Sequence, residues 1–317
     1  MAASGGTKAI LAAFFANLGI AIAKFVAFAF TGASSMLAEA IHSCADTGNQ
    51  ALLLLGGRLA KREATTTHPF GYGRERYFWS FVVALVLFTV GSMFALYEGI
   101  AKIRHPHAID APIWAFAVLS FGIVLEGFSF RTAIVESNRV RGDLSWTKFI
   151  RRSRTPELPV VLLEDLGAMV GLVLALGALA IAVAFDSPVW DGIGTLSIGV
   201  LLGLIAVVLA IEMKSLLIGE GATAKTRAKI VSAVESVAGV EGIVHIRTQH
   251  IGPDELLVGA KVAFDPGFTT RQLTDAINEI EARVRRDVPE ARPMYIEPDM
   301  HRLDTSTVGA EAGAGGG

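Results

Sequence analysis

The feature that most constrains this chain is the series of long apolar stretches filling its first two thirds. A helix crossing the hydrocarbon core of a bilayer needs about 20 mostly apolar residues. Six stretches reach or approach that length: 8–31, 35–60, 77–103, 111–136, 158–185 and 192–218. Of 317 residues, 52% are hydrophobic and only 18% charged, against about 25% charged in an ordinary soluble domain. The excess is confined to residues 7–218, so the sequence predicts a membrane region followed by a small soluble domain. The first apolar run, Lys8 to Phe30, is too long for a signal-peptide core and reads as a retained span.

Loop charges set the orientation, because Lys and Arg accumulate on the cytoplasmic side. Residues 31–34 and 186–191 carry none. The 58–76 loop has Arg58, Lys61, Arg62, Arg74 and Arg76, and the 131–157 loop has Arg131, Arg139, Arg141, Lys148, Arg151, Arg152 and Arg154. Six spans with both basic loops inside put both termini in the cytoplasm. The bilayer is expected to be a bacterial inner membrane, or a mitochondrial or other organelle membrane in a eukaryote.

Beyond Gly221 the periodicity changes. Lys225–Val237 has helical spacing. Gly242–Gln249 and Leu256–Phe264 alternate like strands around the turn Gly252-Pro253-Asp254. Thr270–Arg286 is helical with Leu273, Ile277, Ile280 and Val284 on one face, and Met294–Ile296 begins a short strand. The order αββαβ predicts a two-layer, ferredoxin-like α+β domain. The expected fold is therefore a polytopic α-helical membrane protein with six transmembrane helices over 1–220, a cytoplasmic domain over 221–302, and a disordered Gly/Ala-rich tail over 303–317. A net charge of −2 gives no basic field for nucleic acid. The single cysteine, Cys44, excludes an internal disulfide and a thiolate metal cluster.

Ionisable groups at membrane depth are costly and mark function. Glu39, His42, Asp46 and Asn49 are spaced three, four and three apart, which puts them on one helical stripe. His42 and Asp46, at i and i+4, reach the same ion. An imidazole with carboxylates suits zinc and tolerates iron, cobalt or manganese. Glu164 and Asp165 open the fifth span and offer carboxylates from a second helix. Two plainer roles stand beside metal binding: carboxylates favour a helix N-terminus, and such groups also hydrogen-bond between helices without an ion. Glu98 and Glu126 read as pairing with a basic residue or reaching the interface. His68, in a loop, and His245, Glu297 and Asp299, spread over the soluble domain, read as weak peripheral candidates beside plain solvation.

The run Ala38-Glu39-Ala40-Ile41-His42-Ser43-Cys44-Ala45-Asp46 resembles the second span of the cation diffusion facilitator family, and His68-Pro69-Phe70-Gly71-Tyr72-Gly73-Arg74-Glu75 resembles its following loop. Asn17 and Lys24 fit the first span. Asp46-Thr47-Gly48-Asn49-Gln50, Tyr72-Gly73-Arg74-Glu75-Arg76-Tyr77 and Leu162-Leu163-Glu164-Asp165 are most similar to the branch of the mitochondrial zinc transporter nine type, here in a bacterial-type member. The resemblance covers residues 8 to about 300.

It implies a homodimeric zinc/proton antiporter that works by alternating access between the second and fifth spans, with Zn2+, or Fe2+ or Mn2+, as the transported substrate and no organic cofactor. His42, Asp46 and Asp165 match ligand positions. Val161 stands where the family's first fifth-span ligand belongs, and Glu164, Asn49, water or a shifted helix is expected to supply the missing donor. His68 matches a loop site whose partner position is Tyr72. His245 and Asp299 match cytoplasmic metal positions, with Glu297 replacing a histidine and Ala260 filling a further ligand position. No H-E-x-x-H motif and no nucleophile beside a base is present, so an enzyme is not expected. The alternative is a membrane metal sensor or scaffold that binds without transporting.

Overall fold

The computed structural model describes residues 2–31, 34–106 and 112–300; within these, the side chains of residues 2–6, 27, 28, 30, 31, 34–42 and 152 lie outside the description. The expected disordered tail, 303–317, also falls outside it. The chain forms two compact units, Met1–Leu217 and Ile218–Gly317.

The first unit is helical. Its elements are α1 (Ala2–Thr31), α2 (Ser34–Leu59), α3 (Glu75–Val86), a π-helical stretch (Leu87–Met93), α4 (Phe94–Arg104), α5 (Pro112–Arg141), α6 (Trp146–Arg152), α7 (Glu157–Ala184) and α8 (Val189–Ile218). Among the described residues, five segments are long and apolar enough to cross a membrane: Thr7–Val26, Glu75–Arg104, Pro112–Arg141, Glu157–Ala184 and Val189–Ile218. That is one fewer than the six expected. The exception, α2, has 26 residues, about 39 Å at 1.5 Å per residue, so it does not lack length. Glu39, His42, Asp46, Asn49 and Gln50 dilute its apolar character. The short α6, within the basic 131–157 loop, has no counterpart in the sequence reading.

Helix α1 packs against α2, α5 and α7; α5 packs against α7, and α2 against α3. The shared core includes Ala9, Ala13, Leu53, Tyr77, Ala133, Leu158 and Val161. Phe128, Val173, Leu204 and Ile211 stay exposed on the outer faces of their helices. An apolar surface this extensive suits lipid and not water. The start of α7 is buried nearly all round, from Glu157 to Leu162 and again at Glu164, Asp165 and Gly167, and this brings its polar residues into the middle of the bundle.

The third span, α3 to α4, lies against α8 along a glycine seam. A Cβ on Gly99 would sit 2.6 Å from the backbone nitrogen of Leu196, one on Gly199 2.8 Å from that of Leu96, and one on Gly192 3.0 Å from that of Ile103. The pairing of rising numbers with falling ones makes the two helices antiparallel. Small residues let backbones approach this closely where no hydrophobic drive separates helix from lipid. Ser92, in the π-helical stretch, donates to the carbonyl of Gly199 at 2.8 Å, and Lys102 pairs with Asp191 at 2.8 Å. At the opposite end, Arg76 makes a two-pronged ion pair with Glu157, its Nη2 lying 2.9 Å from Oε2. This ties the start of α3 to the start of α7.

The second unit runs α9 (Ala224–Glu235), β1 (Val240–Gly252), β2 (Glu255–Phe264), α10 (Thr270–Asp287) and β3 (Met294–Asp299), which is the αββαβ order the sequence predicts. β1 and β2 are antiparallel around Pro253-Asp254, and β3 joins β2 in parallel, giving sheet order β1-β2-β3. A parallel neighbour needs a crossover, and α10 supplies it. Thr223 caps α9 by accepting from the Thr226 amide, and Thr269 with Gln272 forms a reciprocal capping box on α10. Ala276, Ile280 and Val284 of α10 and Ile230 and Val234 of α9 are buried in one core with Leu256, Val258, Val262 and Phe264.

Gly99→Val is expected to destabilise the protein by about 1–3 kcal/mol, since the obstructing atoms are backbone and cannot give way. Gly177, with open space around it, is the control: Gly177→Ala should be neutral or slightly stabilising. Thermal unfolding in detergent checks both.

Candidate metal site

The polar residues of α2, α5 and α7 meet inside the helical unit. Asn49 Nδ2 donates to Glu164 Oε1 at 3.0 Å and Gln50 Nε2 to Glu164 Oε2 at 2.6 Å. All three side chains are buried, so Glu164 is an interhelical clamp with an amide on each oxygen. Each oxygen keeps a second lone pair, but the two amide bonds fix the orientation of the carboxylate. The amide oxygens, Asn49 Oδ1 and Gln50 Oε1, are buried and have no hydrogen-bond partner among the described residues.

Asp165 turns to the neighbouring helix, where Ser129 Oγ donates to its Oδ2 at 2.7 Å. Val161 is fully buried among apolar side chains and offers no donor. Asp46 is half-buried on α2, one turn before Asn49. The backbone of His42 lies within α2, but its side chain, like that of Glu39, falls outside the described residues. On α1, Lys24 is buried and its Nζ donates to Ser43 Oγ at 3.0 Å.

Glu126 is the residue whose role the sequence reading missed. It does not reach the interface, and the opposite charge acting on it is that of Lys24. It is 2% exposed in the middle of α5, and the charges acting on it are Asp165, Asp46, Glu164 and Lys24. The signal available in the sequence was its spacing of three from Ser129, which puts it on the face of α5 that meets α7. Four carboxylates, Asp46, Glu126, Glu164 and Asp165, thus share this region with the Lys24 ammonium. Among the described residues, no group of three or more His, Cys, Asp or Glu side chains converges closely enough to hold a metal ion. Carboxylates without a shared cation repel one another, which fits an open arrangement.

The peripheral candidates lie elsewhere. His68 is exposed in its loop, its Nδ1 3.2 Å from Thr67 Oγ1 and its ring 4.6 Å from that of Tyr72. In the second unit, His245 is paired across the sheet with Lys261, and Lys261 in turn with Glu297. The Lys261 ammonium lies 3.2 Å from Glu297 Oε1 and 3.3 Å from Asp299 Oδ2. A hydrogen bond to Glu297, then one to Asp299, raises the lysine above its ordinary pKa, so it stays charged at neutral pH. A built-in cation therefore stands between the two carboxylates that the sequence put forward as metal ligands, and Ala260 adds no donor.

Residues 10–218 match the family model of the cation efflux transmembrane domain, and residues 222–299 match that of the cation efflux protein cytoplasmic domain. The chain is 34% identical over 251 residues to the mitochondrial proton-coupled zinc antiporter SLC30A9 of Xenopus laevis, covering 78% of this chain and 45% of that protein. It is 27% identical over 260 residues to metal tolerance protein C4 of Arabidopsis thaliana, covering 81% and 57%. It is 23% identical over 286 residues to magnetosome protein MamM of Magnetospirillum gryphiswaldense, covering 87% and 82%. The chain spans about half the length of the mitochondrial and plant relatives.

The Lys261 arrangement generates a prediction for the second unit. The isolated 222–302 fragment should retain no stoichiometric zinc after dialysis, as measured by elemental analysis. Lys261→Ala, which removes the competing cation beside Glu297, Asp299 and His245, should increase zinc binding measurably by calorimetry. Tight zinc in the unmodified fragment would contradict this account.

Proposed function

This chain belongs to the cation efflux family, the cation diffusion facilitators, and we propose that it exchanges a divalent metal cation, zinc first, for protons across a membrane by alternating access. The observation that carries the reading is the set of carboxylates between α2, α5 and α7, with Glu126, Glu164 and Asp165 buried, Asp46 half-buried and the Lys24 ammonium acting on Glu126. Ionised groups at membrane depth are expensive unless compensated. A divalent cation compensates two charges, and protons do the same one at a time. The names of the mitochondrial relatives, proton-coupled zinc antiporters, supply the choice of metal and of counter-ion.

In this proposal α2 is the second span and completes the set of six, long enough to cross and polar because it carries the site. Its ligands are His42 and Asp46, with Asp165 from α7. The Ser129 hydroxyl fixes one oxygen of Asp165 and leaves Oδ1 for the ion. Asn49 is the further candidate, through its unpartnered Oδ1. Glu164, held by Asn49 and Gln50, keeps α2 and α7 in register. Metal ligands must be deprotonated, so protonation on the far side releases the metal, and metal binding on the near side expels protons.

The domain division at 1–220 and 221–302, with a tail over 303–317, homodimerisation through the cytoplasmic domain, cytoplasmic termini and a bacterial inner or organellar membrane complete the proposal. A second reading, transport of Mn2+ or Fe2+, draws on the oxygen-rich donor set left by Val161, because such sites accept those ions more readily than histidine-rich ones.

Zinc flux into sealed vesicles containing the purified protein tests the proposal. Asp46→Ala and Asp165→Ala are each expected to abolish flux while leaving a folded, reconstituted protein, and His42→Ala to do the same. Near wild-type flux in well-reconstituted Asp46→Ala sinks the site. Excess Mn2+ or Fe2+ should inhibit zinc flux, and strict indifference to both counts against the oxygen-rich reading. Binding should weaken as pH falls, because protons and metal compete for the same donors.

A further inference from the structure

Glu126 is buried, ionisable and unexplained by the ligand set above. Among the described residues its carboxylate has no hydrogen bond, and the opposite charge acting on it is that of Lys24, although only 2% of its surface is exposed. An ionisable side chain is not left in this state at membrane depth without a partner to meet. The packing of α5 on α7 shows where such a partner would sit. A Cβ on Gly122 would touch Leu172 and one on Gly127 would touch Met169, while Ser129 bonds Asp165. The two helices therefore run antiparallel, and this register puts Glu126 one turn from Asp165 on the side away from Val161.

On α2, Asp46 precedes the pair Asn49 and Gln50 by one turn, and those two are fixed to Glu164. With α2 running opposite to α7, as alternate spans do, Asp46 lies at the same depth as Glu126. The strongest charges acting on Glu126 are those of Asp165 and then Asp46. Three helices thus present a carboxylate each to one region. Two unpartnered buried acceptors, Asn49 Oδ1 and Gln50 Oε1, border it.

We propose that Glu126 of the fourth span is a direct metal ligand and supplies the donor that the fifth span lacks at Val161. The inference rests on the transport reading and moves its site one helical turn, from the Val161 side of Asp165 to the Glu126 side. Glu164, with both oxygens held by amides, remains the clamp. In the described arrangement the carboxylates do not close on a common point. Binding requires them to draw together, which a divalent cation favours by cancelling their repulsion. A site built from Asp46, Asp165 and Glu126 has three oxygen donors, one from each of three helices.

The test uses the full-length protein in detergent, with zinc binding measured by calorimetry, and the same protein in vesicles for flux. Glu126→Gln keeps shape and polarity and removes the charge. Loss of an outer partner of a metal ligand already costs about 10–100-fold in affinity, so losing a ligand should cost at least about ten-fold. Val161→His in the Glu126→Gln background should restore part of the binding by returning a donor on the other side of Asp165. Glu98→Gln, which also removes one carboxylate from a span, is the control and should bind and transport as wild type does.

Wild-type affinity in Glu126→Gln, with Asp46→Ala still inactive, overturns this inference and leaves the transport reading standing. A wild-type protein that binds zinc but moves none overturns the transport reading alone. Should Glu126→Gln not fold, anomalous diffraction from zinc-soaked wild-type crystals decides the matter. A zinc ion at about 2.0–2.2 Å from a Glu126 oxygen supports the assignment, and an ion bound without it refutes it.

Discussion

The arrangement of the helical unit depends on keeping several carboxylates in a place where charge is costly to hold. Asp46, Glu126, Glu164 and Asp165 come from three helices, and Lys24 comes from a fourth. Each part of the surrounding structure answers that cost in some way. Asn49 and Gln50 hold Glu164, Ser129 holds one oxygen of Asp165, and Ser43 accepts from Lys24. Unmet buried charge costs several kcal/mol in a real protein, and attraction offsets this only where geometry is good. The groups left incompletely answered, Glu126 among them, are therefore where a mobile cation has most to offer.

The remaining helices form a frame around this centre. The third and sixth spans meet through glycines whose missing side chains let backbones touch; an ion pair from Lys102 to Asp191 ties one end of that seam, and one from Arg76 to Glu157 ties the third span to the fifth. Close packing of this kind is stiff. The polar bonds between α2, α5 and α7 are fewer and can be exchanged for metal or proton contacts. A rigid frame beside a polar, exchangeable centre suits a protein that opens alternately to two sides, since the conformational change can be carried by the helices whose bonds the cargo itself replaces.

Much of this was legible in the sequence. Apolar length gave the spans, because hydrocarbon thickness leaves little freedom in that number. Alternation and the Gly252-Pro253-Asp254 turn gave the hairpin of the second unit. The polar second span was recognisable only beside its neighbours; by composition alone α2 does not qualify as a span. The π-helical stretch at Leu87–Met93 and the seam it serves were not legible, because a glycine's packing partner depends on a helix a hundred residues away. Glu126 was misread for a related reason. The apolar residues of its helix are spread round every face, so periodicity does not say which way its carboxylate faces. The contact of Ser129 with Asp165 answers that, and it is a tertiary contact. In the second unit, register decided what spacing left open: Lys261 falls between His245, Glu297 and Asp299 only when three strands are aligned.

The central claim is that one set of buried groups binds metal and protons in exchange. The most direct measurement records both ions at once in sealed vesicles containing the purified protein, with a zinc-sensitive dye and a pH-sensitive dye inside and no imposed gradient other than zinc outside. The account predicts that zinc entry is accompanied by alkalinisation of the lumen as protons leave, with both signals absent from protein-free vesicles. Zinc entry with no proton movement would contradict exchange, and no zinc entry into vesicles holding folded protein would contradict transport itself.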